Sequence, residues 1–166
     1  DKIILPGVGA FGTAMLNIQK LSLDKILEEA VIEKKVPILG ICLGMQLMGI
    51  KSEEGGDIEG LSWINANVKR IKVSDTIKYK VPHMGWNEII IRKESPLMDG
   101  VGDKSEFYFA HSYYMDVHEP DLILNETEYF SRFVSAIESQ NIFGVQYHPE
   151  KSHEAGDIIL SNYVNI

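Results

Sequence analysis

Residues 36–48 read VPILGICLGMQLM and combine the patterns of a strand, a tight turn and a helix. The apolar run over 36–39 favours a buried strand, and the residues after the second glycine are compatible with a helix. Gly40 and Gly44 flank Cys42 at two positions on either side, which is the spacing of a nucleophile elbow. Glycines at those positions permit a tight turn that lifts the cysteine side chain above the sheet edge. The stretch therefore predicts an α/β fold with a reactive thiol at the end of a strand.

A second motif lies toward the end of the chain, where residues 144–150 read GVQYHPE. The pattern indicates a strand that ends at His148, with the carboxylate of Glu150 two residues later. A thiol, an imidazole and a carboxylate can serve as nucleophile, base and orienting group in acyl transfer. Taken alone, a lone cysteine is more often a small buried hydrophobe. A buried cysteine does not need the two glycines, so the combination favours a cysteine-dependent acyl-transfer enzyme.

Composition and charge narrow the class of protein. The chain has 166 residues, 45% of them hydrophobic, which suits the core of one domain over residues 1–166. Its formal net charge of −8 argues against nucleic acid or an anionic membrane as a partner. The apolar stretches are far shorter than the roughly 20 residues that span a bilayer. Cys42 is the only cysteine, so no internal disulfide can form, and we expect a cytoplasmic protein.

The order of the predicted elements indicates the architecture. The first third alternates strands over 3–5 and 38–41 with helices over 21–35 and 43–50, and a polar loop follows over 51–60. Later strands are predicted over 68–73, 88–92, 107–113, 133–137 and 142–147, before a closing helix over 154–164. This order predicts a mostly parallel central sheet with an antiparallel extension. The chain opens at Asp1 inside strand-like sequence, so we expect that N-terminal strands of the domain are missing from it.

The glycine-rich segment after the first strand, Gly7-x-Gly9-x-x-Gly12, also matches the dinucleotide-binding fingerprint. That fingerprint requires an acidic residue about 20 positions later, at the tip of the next strand. The next strand ends instead at Cys42, so a backbone loop that donates N–H groups to an oxyanion is the favoured interpretation. A zinc site is disfavoured because the remaining histidines lack the close spacing of metal ligands. We expect no metal and no cofactor.

Five segments together resemble the class I, or triad, glutamine amidotransferases, and this resemblance implies a flavodoxin-like fold. The segments are PGVGAF at 6–11, GICLGMQ at 40–46, PHMGWN at 82–87, HSY at 111–113 and GVQYHPEKS at 144–152. More narrowly, PGVGAF and PHMGWN resemble the glutaminase subunits of imidazole glycerol phosphate synthases, which act in histidine biosynthesis. The resemblance covers essentially the whole chain. It departs at the start, where family members carry a further strand, helix and strand.

The resemblance implies a role for each matched residue. Cys42 would attack the side-chain amide of glutamine, His148 would relay the proton and Glu150 would orient His148. The oxyanion hole would be formed by Gly7, Val8, Gly9 and the N–H of Leu43. The amino-acid portion of glutamine would be held by Gln46, Glu54, His111, Ser112 and Tyr113. The synthase subunit would be contacted by Trp86 and Asn87. The resemblance implies that this partner is a (β/α)8-barrel cyclase, which forms a heterodimer with the glutaminase and receives its ammonia.

Other functions stay open on the sequence alone. A paralogous glutaminase that supplies ammonia to a sugar amidotransferase in surface-polysaccharide synthesis would use the same chemistry at Cys42. A catalytically silent regulatory subunit is disfavoured by the intact Cys42, His148 and Glu150. A stand-alone cysteine hydrolase would leave residues 82–87 without an evident role.

Overall fold

The computed structural model describes the whole chain, Asp1–Ile166. The α-helices are α1 Phe11–Lys20, α2 Leu23–Glu28, α3 Leu43–Leu47 and α4 His153–Asn165. The strands are β1 Ile3–Gly7, β2 Ile38–Cys42, β3 Lys51–Ser52, β4 Ile58–Glu59, β5 Ala66–Arg70, β6 His83–Glu88, β7 Ile90–Ile91, β8 Glu106–His111, β9 Tyr113–Val117, β10 Ile123–Glu128, β11 Arg132–Ser139 and β12 Ile142–Val145. None of the helices has both the length and the apolar character needed to cross a membrane.

The central sheet has six strands in the order β1-β2-β12-β11-β10-β7. The first three strands pair in parallel, and β11, β10 and β7 continue the sheet in antiparallel fashion. The predicted combination of a parallel sheet with an antiparallel extension is confirmed, and the extension is as wide as the parallel part. Ile41 of β2 stands opposite Val145 of β12. The carboxyl ends of these parallel strands therefore meet at one edge, where ligands bind in open α/β sheets.

Strand β2 is enclosed from both faces of the sheet. All five of its residues are buried. Leu39 and Ile41 belong to a core cluster with Ile159 of α4, whereas Ile38 belongs to a second cluster with Met15 of α1. A near-continuous apolar run is typical of a parallel strand that is covered on both sides. This enclosure fixes the position of the residue at the end of β2.

Two smaller sheets complete the fold, one with the order β4-β3-β5-β9 and one formed by β6 and β8. In the two-stranded ribbon, His83 of β6 stands opposite His111 of β8, and Trp86 stands opposite Tyr108. Burial alternates along β6, so that His83 is buried while Met84 and Trp86 are exposed. The ribbon thus has an inner face with the two histidines and an outer face with Met84 and Trp86.

Several local elements differ from those predicted. Helix α1 occupies Phe11–Lys20, where the sequence pattern predicts no helix, and its first N–H donates to Oε2 of Glu54 at 2.8 Å. The segment predicted as helix over 21–35 is the short α2 followed by a π-helical turn, Glu29–Glu33. The helix predicted over 43–50 ends at Leu47, and the loop predicted over 51–60 contains β3 and β4. Strands β3 and β4 pair with each other, and β3 also pairs with β5, which gives this polar segment its regular structure.

Candidate active site

Cys42 lies at the turn between β2 and α3. Its backbone angles, φ 53° and ψ −109°, fall where residues with a side chain are rarely found. Such a conformation costs on the order of 1–3 kcal/mol and persists only where the surrounding structure fixes it. The flanking glycines permit the close packing: a Cβ on Gly40 would lie 2.7 Å from the nitrogen of Met45, and one on Gly44 would lie 1.7 Å from the carbonyl oxygen of Leu5. The tight turn predicted from the glycine spacing is therefore present.

His148 follows β12 at the same edge of the sheet. Its Nδ1 lies 2.7 Å from Oε1 of Glu150, so the Nδ1–H donates to the carboxylate and Nε2 is left as the basic nitrogen. The backbone is also held, because the N–H of His148 donates to the carbonyl of Tyr108 at 2.9 Å and its carbonyl accepts from Ser152 Oγ at 2.6 Å. The imidazole is only 4% exposed. The structure thus presents an oriented histidine with a defined tautomer.

Both motifs meet at one cavity of about 280 Å³, which is lined by Cys42 and His148 together. The other predicted site residues that line it are Val8, Gly9, Leu43, Gln46, Glu54, His111, Ser112 and Tyr113. Gly7 does not line the cavity. A Cβ on Gly7 would lie 2.9 Å from Cβ of Leu43, so this glycine lets the loop pack closely against α3.

Three further lining residues, Pro82, Ala110 and Lys151, were not singled out from the sequence. Pro82 belongs to the segment PHMGWN and Lys151 to the segment GVQYHPEKS. Both residues could therefore have been selected from the motifs that resemble the family. Ala110 carries no chemical group that sequence reasoning would select. It reaches the cavity because it precedes His111 on β8.

Two of the predicted substrate-binding side chains have partners within the protein. Gln46 Nε2 donates to the carbonyl of Tyr113 and to Oε1 of Gln146, each at 2.9 Å, which leaves Oε1 of Gln46 for a ligand. Glu54 uses one carboxylate oxygen to accept from the N–H of Phe11 and keeps the other. Both side chains are therefore held in place before any ligand arrives.

The environment of the thiol favours its protonated form. Burial raises the pKa of Cys42 to about 11, and the charge of Glu150 adds to this rise, while the hydrogen bonds from the Leu43 N–H and the Gln146 amide oppose it. The sulfur lies 3.6 Å from Nε2 of Gln146 and 4.0 Å from the carbonyl oxygen of Ala110. Neither contact is with a base. The Cys42 side chain would therefore need a base before its sulfur could act as a nucleophile at neutral pH.

The histidines on the inner face of the ribbon are neutral. Burial lowers the pKa of His83 to about 4 and that of His111 to about 3. His111 Nδ1 lies 2.8 Å from the carbonyl oxygen of Tyr113, and its Nε2 lies 3.1 Å from Nδ1 of His83. The ring of His83 stacks on Phe109 and on Tyr129, at centroid distances of 4.8 and 3.9 Å. His83 belongs to the segment PHMGWN, but no local pattern distinguished it as a site residue.

Trp86 and Asn87, predicted to face a partner, differ in their surroundings. Trp86 is 43% exposed on the outer face of the ribbon, where it stacks on His153 at 4.8 Å and meets the ring of Tyr108 edge-on at 6.0 Å. The Asn87 amide donates instead to the carbonyl of Glu128 at 3.0 Å and lies 3.4 Å from Nε2 of His83. Only Trp86 therefore presents its side chain to the outer face.

Comparison with known proteins identifies the class. The model of the family "Glutamine amidotransferase class-I" matches residues 1–164, and the chain belongs to this family. Similar proteins include imidazole glycerol phosphate synthase subunit HisH 2 of Pseudomonas aeruginosa, which is 44% identical over the whole chain and over 81% of that relative. The subunit HisH of Methanocaldococcus jannaschii is 46% identical over the same shares of both proteins. The resemblance stated from the sequence motifs is confirmed.

Solved structures support the fold. A glutamine amidotransferase from Thermotoga maritima superposes with a TM-score of 0.64 at 19% identity, over 98% of this chain and 61% of that one. The glutaminase domain of Trypanosoma brucei CTPS, with bound acivicin, gives a TM-score of 0.61 at 16% identity, over 99% of this chain and 71% of that one. At these identities the likeness concerns the fold alone, and it confirms the class I glutamine amidotransferase fold.

Proposed function

We propose that the chain hydrolyses glutamine to glutamate and ammonia with a triad of Cys42, His148 and Glu150. It is the glutaminase subunit of an imidazole glycerol phosphate synthase and serves histidine biosynthesis, in keeping with its family and its relatives. One observation supports the triad above all. The strained elbow presents Cys42 to the same cavity that is lined by a histidine already oriented by Glu150.

In the proposed first step, Nε2 of His148 takes the thiol proton and the sulfur of Cys42 attacks the carbonyl carbon of the substrate amide. The new C–S bond moves an electron pair onto the amide oxygen. The N–H of Leu43 and the loop at Val8 and Gly9 would stabilise this charge, with Gly7 letting that loop pack against α3. The hydrogen bond to Glu150 stabilises the imidazolium that forms.

The second step releases ammonia. His148 gives its proton to the substrate nitrogen, the C–N bond breaks, and ammonia leaves while a glutamyl thioester remains on Cys42. A water molecule then attacks the thioester carbonyl with His148 as base. This step yields glutamate and restores the thiol, so that all atoms and protons balance over the cycle.

The polar lining of the cavity supports recognition of a free amino acid. Oε1 of Gln46 and the carboxylate of Glu54 are acceptors suited to the α-ammonium group of glutamine. The hydroxyl of Ser112 is a donor suited to the α-carboxylate. His111 and Tyr113 contribute mainly by fixing Gln46, through the shared carbonyl oxygen of Tyr113.

The partner in this proposal is a (β/α)8-barrel cyclase that consumes the ammonia. The names of the relatives describe subunits of a synthase, so another subunit is required for the complete reaction. Large aromatic residues on exposed surfaces are enriched in interfaces, which makes Trp86 on the outer face of the ribbon the proposed anchor. Transfer inside a complex would keep ammonia from being protonated in water. The cytoplasm is the proposed location, because it keeps the thiol of Cys42 reduced.

A diazo-ketone analogue of glutamine tests the assignment of the nucleophile. Incubated with the chain and its cyclase partner, the analogue is expected to label Cys42 alone and to abolish glutamine hydrolysis. Cys42→Ser and Cys42→Ala serve as controls that should fold, bind the partner and remain unlabelled. Peptide mapping that finds the label on another residue, or glutaminase activity in either variant, would overturn the assignment.

A further inference from the structure

The carbonyl oxygen of Tyr113 is the junction of a buried chain of hydrogen bonds. It lies 2.8 Å from Nδ1 of His111 and 2.9 Å from Nε2 of Gln46. A carbonyl oxygen only accepts hydrogen bonds, so both nitrogens must be donors. This requirement fixes the tautomer of His111 and the orientation of the Gln46 amide, and the direction of every further bond follows from it.

On one side of the Tyr113 carbonyl, the hydrogen bonds run through two histidines toward the surface. His111 is neutral and has its proton on Nδ1, so its Nε2 is an acceptor and must receive the Nδ1–H of His83 at 3.1 Å. His83 is neutral as well, and its Nε2 therefore accepts from the Asn87 amide at 3.4 Å. All three donors point the same way, from the inner face of the ribbon to Tyr113.

On the other side of the Tyr113 carbonyl, the hydrogen bonds end at the sulfur of Cys42. Nε2 of Gln46 gives its second hydrogen to Oε1 of Gln146 at 2.9 Å. The amide of Gln146 is thereby oriented with Nε2 toward Cys42, 3.6 Å from the sulfur. Gln146 is 0% exposed and Gln46 is 5% exposed, so little of either amide is open to water, and the bond between them is buried.

We propose that these residues form a hydrogen-bond relay, from Asn87 through His83, His111, the Tyr113 carbonyl and Gln46 to Gln146, that positions the Cys42 sulfur for attack. His83, His111 and Gln146 are positioning residues in this inference, which rests on the proposed role of Cys42 as nucleophile. The relay stabilises a thiolate through the Gln146 N–H. It also connects the sulfur to β6, whose opposite face carries Trp86.

The relay differs from the other buried network of polar side chains, because Gln46, His111 and Tyr113 line the cavity. A second buried network joins Thr127, Ser135 and Asn125, with Oγ–Oγ and Oγ–Oδ1 distances of 2.9 and 2.8 Å, and it ends at Tyr147. None of those side chains lines the cavity. Thr127→Val removes a buried hydrogen bond of the same kind at nearly unchanged volume. It therefore provides the matched control for a loss of stability alone.

Alkylation of Cys42 by iodoacetamide, followed between pH 7.5 and 9.5 in the full chain, tests the relay. Cys42 is the only cysteine, so the rate reports one sulfur. Gln146→Met keeps the length of the side chain but removes the donor, and the rate at fixed pH should fall about tenfold because the thiolate loses a hydrogen bond. His83→Phe keeps the stacking on Phe109 and Tyr129 and should reduce the rate about threefold. Thr127→Val should leave the rate unchanged.

The double variant decides whether the two ends are coupled. If the relay acts as one unit, His83→Phe has no further effect once Gln146→Met is present. Equal factors in both backgrounds, or unchanged rates in both single variants, would overturn the proposal. If Gln146→Met does not fold, His83→Phe against Thr127→Val still gives the answer. Failure of the proposed function would be seen separately, as absence of diazo-ketone labelling in the parent chain.

Discussion

Gly44→Ala gives the sharpest test of how the elbow is built. A Cβ on Gly44 would lie 1.7 Å from the carbonyl oxygen of Leu5 and 2.8 Å from its carbonyl carbon. Both atoms belong to the backbone of β1, so no side chain can rotate away. Helix α3 and strand β1 must separate by about 1.7 Å before the contact reaches 3.4 Å, the lower end of ordinary van der Waals distances.

The substitution changes both the stability and the activity of the protein. For the stability, helix propensity alone predicts a gain. Gly44 lies inside α3, where Ala is intrinsically favoured over Gly by about 1 kcal/mol. The clash outweighs this gain, because overpacking a tight site typically costs about 1–3 kcal/mol and a backbone contact yields least. We expect net destabilisation. Displacement of the Leu43 N–H by about 1 Å should also lower kcat/KM roughly 100-fold.

The assays are urea unfolding of the chain and glutamine hydrolysis in the complex with the cyclase partner. Gly102→Ala is the control, because a Cβ there would meet only Ser105 Oγ at 3.6 Å. That variant should match the parent in both assays. A Gly44→Ala variant that is more stable than the parent and fully active would refute the argument that close approach of α3 to β1 fixes the elbow.

Three further predictions concern the triad, the outer face of the ribbon and the buried histidines. His148→Asn should abolish glutamine hydrolysis, whereas Glu150→Gln should retain part of it, because an amide can still hold the imidazole; equal losses would show that Glu150 does more than orient. Trp86→Ala should weaken binding of the cyclase or raise the ratio of glutamate to aminated product, while an unchanged ratio and affinity would make Trp86 a packing residue only. The free energy of unfolding should fall as the pH drops from about 6.5 toward 4, because the unfolded chain binds protons at His83 and His111 that the folded chain excludes. Each histidine contributes up to about 1.4 kcal/mol per pH unit to this slope. In urea titrations His83→Phe should make this slope shallower, and an unchanged slope would contradict the assignment.

The elbow could be predicted from sequence because its determinants are local. Gly40 and Gly44 lie within two positions of Cys42, and a single turn of backbone decides whether a Cβ fits. The meeting of Cys42 with His148 was also predictable, since two buried runs that end in reactive side chains place them at one edge if the strands are parallel neighbours. The local sequence pattern was sufficient to predict the elbow, and the expected sheet topology was sufficient to bring Cys42 and His148 to one edge.

The relay could not be predicted, since it depends on pairs of distant residues, whereas helix α1 has apolar residues at helical spacing, Phe11, Met15 and Ile18, and was missed behind the glycine-rich segment. The start of α1 is stabilised by Glu54, which is 43 positions away from Phe11. Residues 6–12, at the start of the helix, are rich in glycine, and such a sequence has the pattern of a loop. His83 and His111 meet only because β6 and β8 pair in one particular register. A shift by one residue would place His83 on the outer face of the ribbon.

The resting thiol connects these observations to control of the reaction. Burial raises the pKa of Cys42 to about 11, so the thiol form prevails at neutral pH. The hydrogen-bond partner of its sulfur is Gln146 and not His148, so of the two contacts in the proposed triad only the one between His148 and Glu150 is formed. Proton transfer then requires Nε2 of His148 to reach the sulfur that Gln146 holds, and the strand that carries Trp86 is joined to that sulfur by the proposed relay. Docking on the outer face and reactivity at the elbow are thereby linked through one set of buried bonds.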